Sequence, residues 1–211
     1  LFDYTTLDEL ARHIEDEYAD RIGVPVAAAA RAPAPAASAP TNDANDAEGG
    51  HIRRRALIEG PGQIDSLRIV EDRTERLPDD HVLISVRAFS LNFSDLLSVK
   101  GLYPNMPPYP FTPGFEASGV VLDAGSAVSS FRPGDEVICL TQGCHADLVL
   151  CPEHLIMAKP AGVGFEDACA LPVVALTMLD VFDKADLQPG ETVLIQTAAG
   201  GTGLVGVQLA R

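Results

Sequence analysis

The chain has 211 residues, 46% of them hydrophobic, and a formal net charge of −15. That is enough apolar material for a core in one or two domains, whereas the charge repels phosphate backbones and argues against nucleic acid or an anionic membrane as partner. With no apolar run near the roughly 18 residues of a membrane span and no charged-then-apolar leader, a cytoplasmic location is expected.

The sequence starts at Leu1 and stops inside a helical pattern at Arg211, so it reads as an excerpt of a longer chain. Residues 1–22 carry Leu7, Leu10, Ala11, Ile14 and Tyr18 at helical spacing behind a Thr6 N-cap and a Glu9 capping-box partner, which predicts an amphipathic helix. Residues 23–50 turn to Ala and Pro with Ser, Asn and Asp, including Pro25, Pro33, Pro35 and Pro40. Such a composition buries too little to offset its ordering entropy, so an extended, disordered linker is expected.

From residue 51 to 168 strand patterns alternate with glycine and proline turns. Strands are expected at 54–58, 64–71, 81–88, 114–122, 136–140, 146–150 and 155–158, with a short helix at 92–99. Residues 165–184 are apolar almost all round, which predicts a buried helix kinked at Pro172. Val193, Leu194 and Ile195 then read as a strand buried on both faces, followed by Ala198, Gly200, Gly201 and Gly203 in a glycine turn and by a helix starting near Leu204. Strand, glycine turn and helix in succession are the opening of a dinucleotide-binding unit, whose helix N-terminus faces a pyrophosphate. Residues 169–211 are therefore expected to begin a doubly wound domain. The motif has Ala198 where GxGxxG has its first glycine, and no residue up to Arg211 chooses between NAD and NADP.

The four cysteines, Cys139, Cys144, Cys151 and Cys169, form no CxxC pair, and the five histidines are scattered. Buried thiols are expected in preference to ligands. Cys144 and His145 are neighbours, but adjacent residues on a strand point to opposite faces and do not converge on one ion.

Over residues 51–211 the chain resembles the medium-chain dehydrogenase/reductase superfamily, specifically its zinc-free quinone reductase and enoyl reductase branch. The resemblance is carried by NFSD at 92–95, GLYP at 101–104, GFEASGVV at 114–121, FRPGDEV at 131–137 and AAGGTG at 198–203, in that order. It implies a β-rich GroES-like substrate domain at 51–168 followed by a partial Rossmann domain at 169–211. Zinc members of the superfamily place a Cys and a His where this chain has Asn92 and Phe115; neither suits zinc, and a metal-free site is expected. The resemblance further implies NADPH as cofactor, Tyr103 as proton donor or as the group steering protonation, Asn92 and Asp95 beside the nicotinamide or fixing the loop, and Thr177 near the nicotinamide. Read from the residues alone, Tyr103 is a loop aromatic, Asp95 a helix cap and Thr177 a satisfied core hydroxyl.

The phrase LFDYTTLDELARHI at 1–14 resembles the last helix of an acyl carrier domain from a modular polyketide synthase, with Thr5 where a proline is common. Carrier helix, linker and reductase together imply a synthase piece that reduces a 2-enoyl thioester held on the phosphopantetheine of a carrier domain, within a larger assembly that can be a homodimer. Two other readings stay open: a free-standing NADPH quinone or enone reductase, and a non-catalytic docking or scaffolding segment.

Overall fold

Alternating apolar residues, interrupted by turn residues, build seven antiparallel strands among the described residues. The computed structural model describes residues 50–211 apart from Gln63 and Asn105, so the helix expected at 1–22 and all but Gly50 of the linker expected at 23–50 lie outside the described residues. The described residues fall into two units, 50–170 and 171–211.

In the first unit the strands are β1 (Ile52–Leu57), β2 (Arg68–Arg73), β3 (His81–Phe89), β4 (Glu116–Ala124), β5 (Glu136–Leu140), β6 (Leu148–Pro152) and β7 (Ile156–Ala158). β1 and β2 form an antiparallel ribbon, and the other five form one antiparallel sheet in the order β6-β3-β4-β5-β7. Register shifts in the β3–β4 pair bend the sheet. Inward residues of successive strands, among them Val82, Ile84, Ala117, Val121, Val137 and Val149, make the core. Two helices, α1 (Phe93–Val99) and α2 (Phe165–Cys169), belong to this unit, and α2 packs on β3 and β4.

The stretch expected to be a strand from residue 64 starts with a 3-10 turn, Ile64–Ser66, closed by the Leu67 N–H on the Ile64 carbonyl at 3.1 Å, and only then becomes β2. Asp72 on β2 lies across from Arg53 and bonds both arginines of β1: Arg53 Nε at 2.9 Å and Arg55 Nε at 2.7 Å. Burial alone would raise the Asp72 pKa, but the hydrogen bonds from Arg55 and then Arg53 outweigh it and hold the carboxyl below its ordinary value. Since the folded value is depressed, this stabilisation is complete above the ordinary carboxylate pKa and is lost as pH falls towards the folded value. Asp72→Asn should therefore lower stability at neutral pH by up to about 1 kcal/mol, the scale of a partly exposed ion pair. In thermal unfolding followed against pH, the gap between wild type and variant should close at acid pH, below about 3.9.

The second unit contains α3 (Pro172–Lys184) and α4 (Gly201–Leu209), which pack together where Gly206 faces Met178. The single kinked helix expected at 165–184 is two helices. Pro172 does not bend a helix but starts one, standing at its first position, where the missing N–H is not needed. The strand expected at 193–195 is not part of a sheet: those residues are irregular, Leu194 is 87% exposed and Val193 38%. A parallel strand takes its hydrogen bonds from neighbours on either side, and among the described residues no strand pairs with this segment.

Candidate functional site

In the first unit the residues singled out by sequence gather around the start of α1. Asn92 is its N-cap, and its N–H donates to Asp95 Oδ2 at 2.7 Å, closing the capping box. The other oxygen, Oδ1, accepts the Gly114 N–H at 3.0 Å. Asp95 thus ties α1 to the loop before β4, and it is 6% exposed. The Asn92 side chain turns inward, where Nδ2 donates to Glu116 Oε1 at 2.9 Å and to Ser90 Oγ at 3.0 Å. The Ser90 hydroxyl also donates to Glu116 Oε1.

His145 backs this group. Its ring packs on Phe89 with centroids 4.6 Å apart, and Nε2 donates to the Ser90 carbonyl at 3.1 Å and lies 3.9 Å from Asp95 Oδ2. Its neighbour Cys144 turns to the Thr141 carbonyl, at 3.1 Å. The two diverge as expected, but they sit in the turn before β6 and not on a strand. All four cysteines are free and buried. Hydrogen bonding with Cys139 and then burial push the Cys144 thiol up; burial first, then Cys139, does the same to Cys151. Burial and the charge of Glu116 raise Cys169. Those three raised, buried thiols are poor nucleophiles and poor metal ligands, whereas hydrogen bonds from Cys144 and then Cys151 pull the buried Cys139 thiol down.

Tyr103 packs edge-on against Phe115, with ring centroids 5.3 Å apart, and lines a crevice with Met106, Phe111, Pro113 and Gly114. The crevice has a volume of about 10 Å³, room for a water. Among the described residues the phenol makes no hydrogen bond, and its ring is held by Phe115. Phe115 presents a hydrocarbon ring, and among the described residues no three His, Cys, Asp or Glu side chains are grouped to hold a metal ion.

The second unit holds the other predicted residues. Thr177 on α3 donates its hydroxyl to the Val173 carbonyl at 2.6 Å, the satisfied bond of a helical threonine. Gly200 is the N-cap of α4 without a side-chain cap, and the first turn holds no acidic residue. The first N–H groups of a helix lack intrahelical partners, an arrangement that suits an anion. The left-handed residue of the turn is not a glycine but Thr197, at φ 56°. Its carbonyl accepts the Gly200 N–H at 2.9 Å.

Sequence reasoning missed Ser90, Gly114 and Glu116. The signal for Glu116 was present in GFEASGVV: an acid inside a run of small and apolar residues must find donors if it is buried.

Residues 78–175 match the alcohol dehydrogenase GroES-like domain family. Among curated proteins, the human synaptic vesicle membrane protein VAT-1 homolog is 43% identical over 130 residues, covering 61% of this chain and 33% of that protein. The pikromycin polyketide synthase component PikAII of Streptomyces venezuelae is 38% identical over 157 residues, covering 74% of this chain and 4% of that protein. The chain thus spans a third or less of these two relatives. Among solved structures, the CurK enoyl reductase superposes with a TM-score of 0.70 at 33% identity, covering 75% of this chain and 51% of that one. The Escherichia coli quinone oxidoreductase complexed with NADPH gives 0.66 at 29% identity, covering 72% and 48%. With its GroES-like domain and these relatives, the chain belongs to the medium-chain dehydrogenase/reductase superfamily, on the branch of the quinone and enoyl reductases.

Proposed function

We propose that the whole protein reduces the C=C bond of a 2-enoyl thioester carried on the phosphopantetheine of an acyl carrier domain, using NADPH and no metal. The observation that carries this reading is the Tyr103 ring seated edge-on against Phe115, a phenol at the crevice that it lines with Pro113 and Gly114. Support for the carrier-bound substrate comes from the carrier-like phrase at 1–14 and from the likeness to a polyketide synthase component and to an enoyl reductase. Residues 51–168 would serve the substrate and 169–211 would open the nucleotide-binding domain.

Ala198, Gly200, Gly201 and Gly203, at the N-terminus of α4, would hold the pyrophosphate; Asn92 and Thr177 would serve the nicotinamide, and Asp95 would fix the loop that carries Asn92. When bound, the cofactor would supply a hydride to the β-carbon of the enoyl thioester. The π electrons then shift towards the thioester carbonyl as an enolate. Tyr103 would give its phenolic proton to the α-carbon and regain one from solvent, so that the hydride and this proton together add two electrons and two protons across the double bond. Reduction of a free quinone is the second reading, favoured by the likeness to the Escherichia coli quinone oxidoreductase.

Tyr103→Phe in the whole protein tests the assignment. With a 2-methyl-2-enoyl thioester on a carrier domain, NADPH binding should stay close to wild type. Turnover should fall roughly a hundredfold to ten-thousandfold, the usual worth of a positioned proton donor, or the product should change its α-configuration because water donates from the other face. If neither turnover nor configuration changes, Tyr103 is a loop aromatic.

A further inference from the structure

Glu116, the first residue of β4, is 1% exposed. A buried carboxylate costs several kcal/mol unless donors meet it, and packing a strand end would be served more cheaply by an apolar side chain. A carboxylate accepts and does not donate, so the groups that reach Glu116 Oε1 must both be donors: Ser90 Oγ and Asn92 Nδ2. This fixes the Asn92 amide with its NH₂ inward. From the other side Asp95 accepts the backbone N–H groups of Asn92 and Gly114. The segment 90–92 is thereby clamped between two buried carboxylates, while Leu91 and Phe93 stand 79% and 74% exposed on either side of Asn92. The alternation leaves the segment no freedom to turn Asn92 over without exposing its polar bonds and burying its apolar neighbours.

We propose that Glu116 is a positioning residue that acts through Asn92, setting the orientation of the amide and the path of the segment 90–92 so that this loop is preorganised towards NADPH. The proposal rests on the reading that Asn92 belongs to the cofactor site. In the whole protein, the NADPH dissociation constant and kcat are compared for wild type, Glu116→Ala, Glu116→Gln, Asn92→Ala and the double variant Glu116→Ala/Asn92→Ala. Glu116→Ala should weaken NADPH or lower kcat by roughly tenfold to a hundredfold, the worth of a hydrogen bond to a charged group. Glu116→Gln keeps an acceptor oxygen for Ser90 and Asn92 and should stay within about threefold of wild type. Because one residue acts through the other, the double variant should be no worse than Asn92→Ala by more than about twofold, the scatter of independent sites.

Additive losses, or a Gln variant as damaged as the Ala variant, overturn the proposal. If Glu116→Ala fails to fold by circular dichroism, Ser90→Ala replaces it in the same cycle. It should cost about fivefold in the wild-type background, within the worth of one hydrogen bond, and nothing beside Asn92→Ala; an equal loss in both backgrounds overturns the proposal. NADPH binding needs no acyl substrate, so a protein that reduces only quinones fails the thioester reading and leaves the cycle readable. A wild-type protein that binds no NADPH overturns both.

Discussion

Gly114→Ala is expected to destabilise the unit formed by residues 50–170 by about 3 kcal/mol or more, combining backbone strain with overpacking. Gly114 has φ 102°, a conformation that side chains rarely adopt, and it is buried. A Cβ there would sit 2.6 Å from the His145 backbone nitrogen, 2.6 Å from its Cδ2 and 3.0 Å from the Cys144 carbonyl carbon. Two of these atoms are backbone, held by the Gly114 and Pro113 carbonyls that accept the Cys144 and His145 N–H groups, so the obstacle cannot swing away. Relief must come from moving Gly114 itself. That movement would pull its N–H off Asp95 Oδ1, now at 3.0 Å, and loosen the cap of α1 with it. Urea unfolding should show the loss in stability, and amide exchange should be fastest around residues 90–95. A variant with wild-type stability would show that the loop before β4 can shift without cost.

How far this was legible in the sequence depends on the range of the interactions. Alternation at 81–88 marked β3, and apolar runs between glycine and proline turns marked β4 and β5, all to within two residues, although each strand buries consecutive residues and not one face alone. The start of α1 was legible because its cap is local, Asn92 and Asp95 lying three residues apart. Pro172 was misjudged as a kink because the same ring that breaks a helix interior is well placed at a first turn, and only the turn at Ala170 and Leu171 decides between them. Residues 193–195 have the composition of a buried strand, but composition does not supply the neighbours that a parallel strand needs. Ser90 and Glu116 are 26 residues apart, and Asp95 and Gly114 are 19 apart. Their bonds follow from the β3–β4 pairing and from the loop that precedes β4, which no local pattern encodes. Tyr103 and Phe115 are neighbours in space for the same reason.

The glycine turn before α4 should separate two effects that the sequence joins. A Cβ at Gly203 would lie 2.4 Å from the Thr197 carbonyl oxygen and 2.7 Å from Ala198 Cα, inside the turn itself. At Gly200 the nearest atoms are the Thr197 oxygen at 3.3 Å and Cγ2 at 3.6 Å, and the backbone there, at φ −80° and ψ 164°, suits any residue. Gly203→Ala should therefore open the turn and lower the unfolding temperature of the whole protein, with NADPH binding lost as a consequence. Gly200→Val should cost only about 1 kcal/mol, for a poorer N-cap residue in a close contact, and should leave the protein folded. On the proposed cofactor assignment, any larger loss of affinity there would come from the ligand, whose pyrophosphate would approach the backbone closely at this N-terminus. A drop of roughly a hundredfold or more in NADPH affinity is expected, because the phosphates lose several charge-assisted hydrogen bonds together. Fluorescence titration of NADPH and thermal unfolding on the same samples give both numbers. If Gly200→Val binds NADPH as tightly as wild type while remaining folded, the N-terminus of α4 does not hold the pyrophosphate, and the cofactor assignment of Ala198, Gly200, Gly201 and Gly203 falls with it.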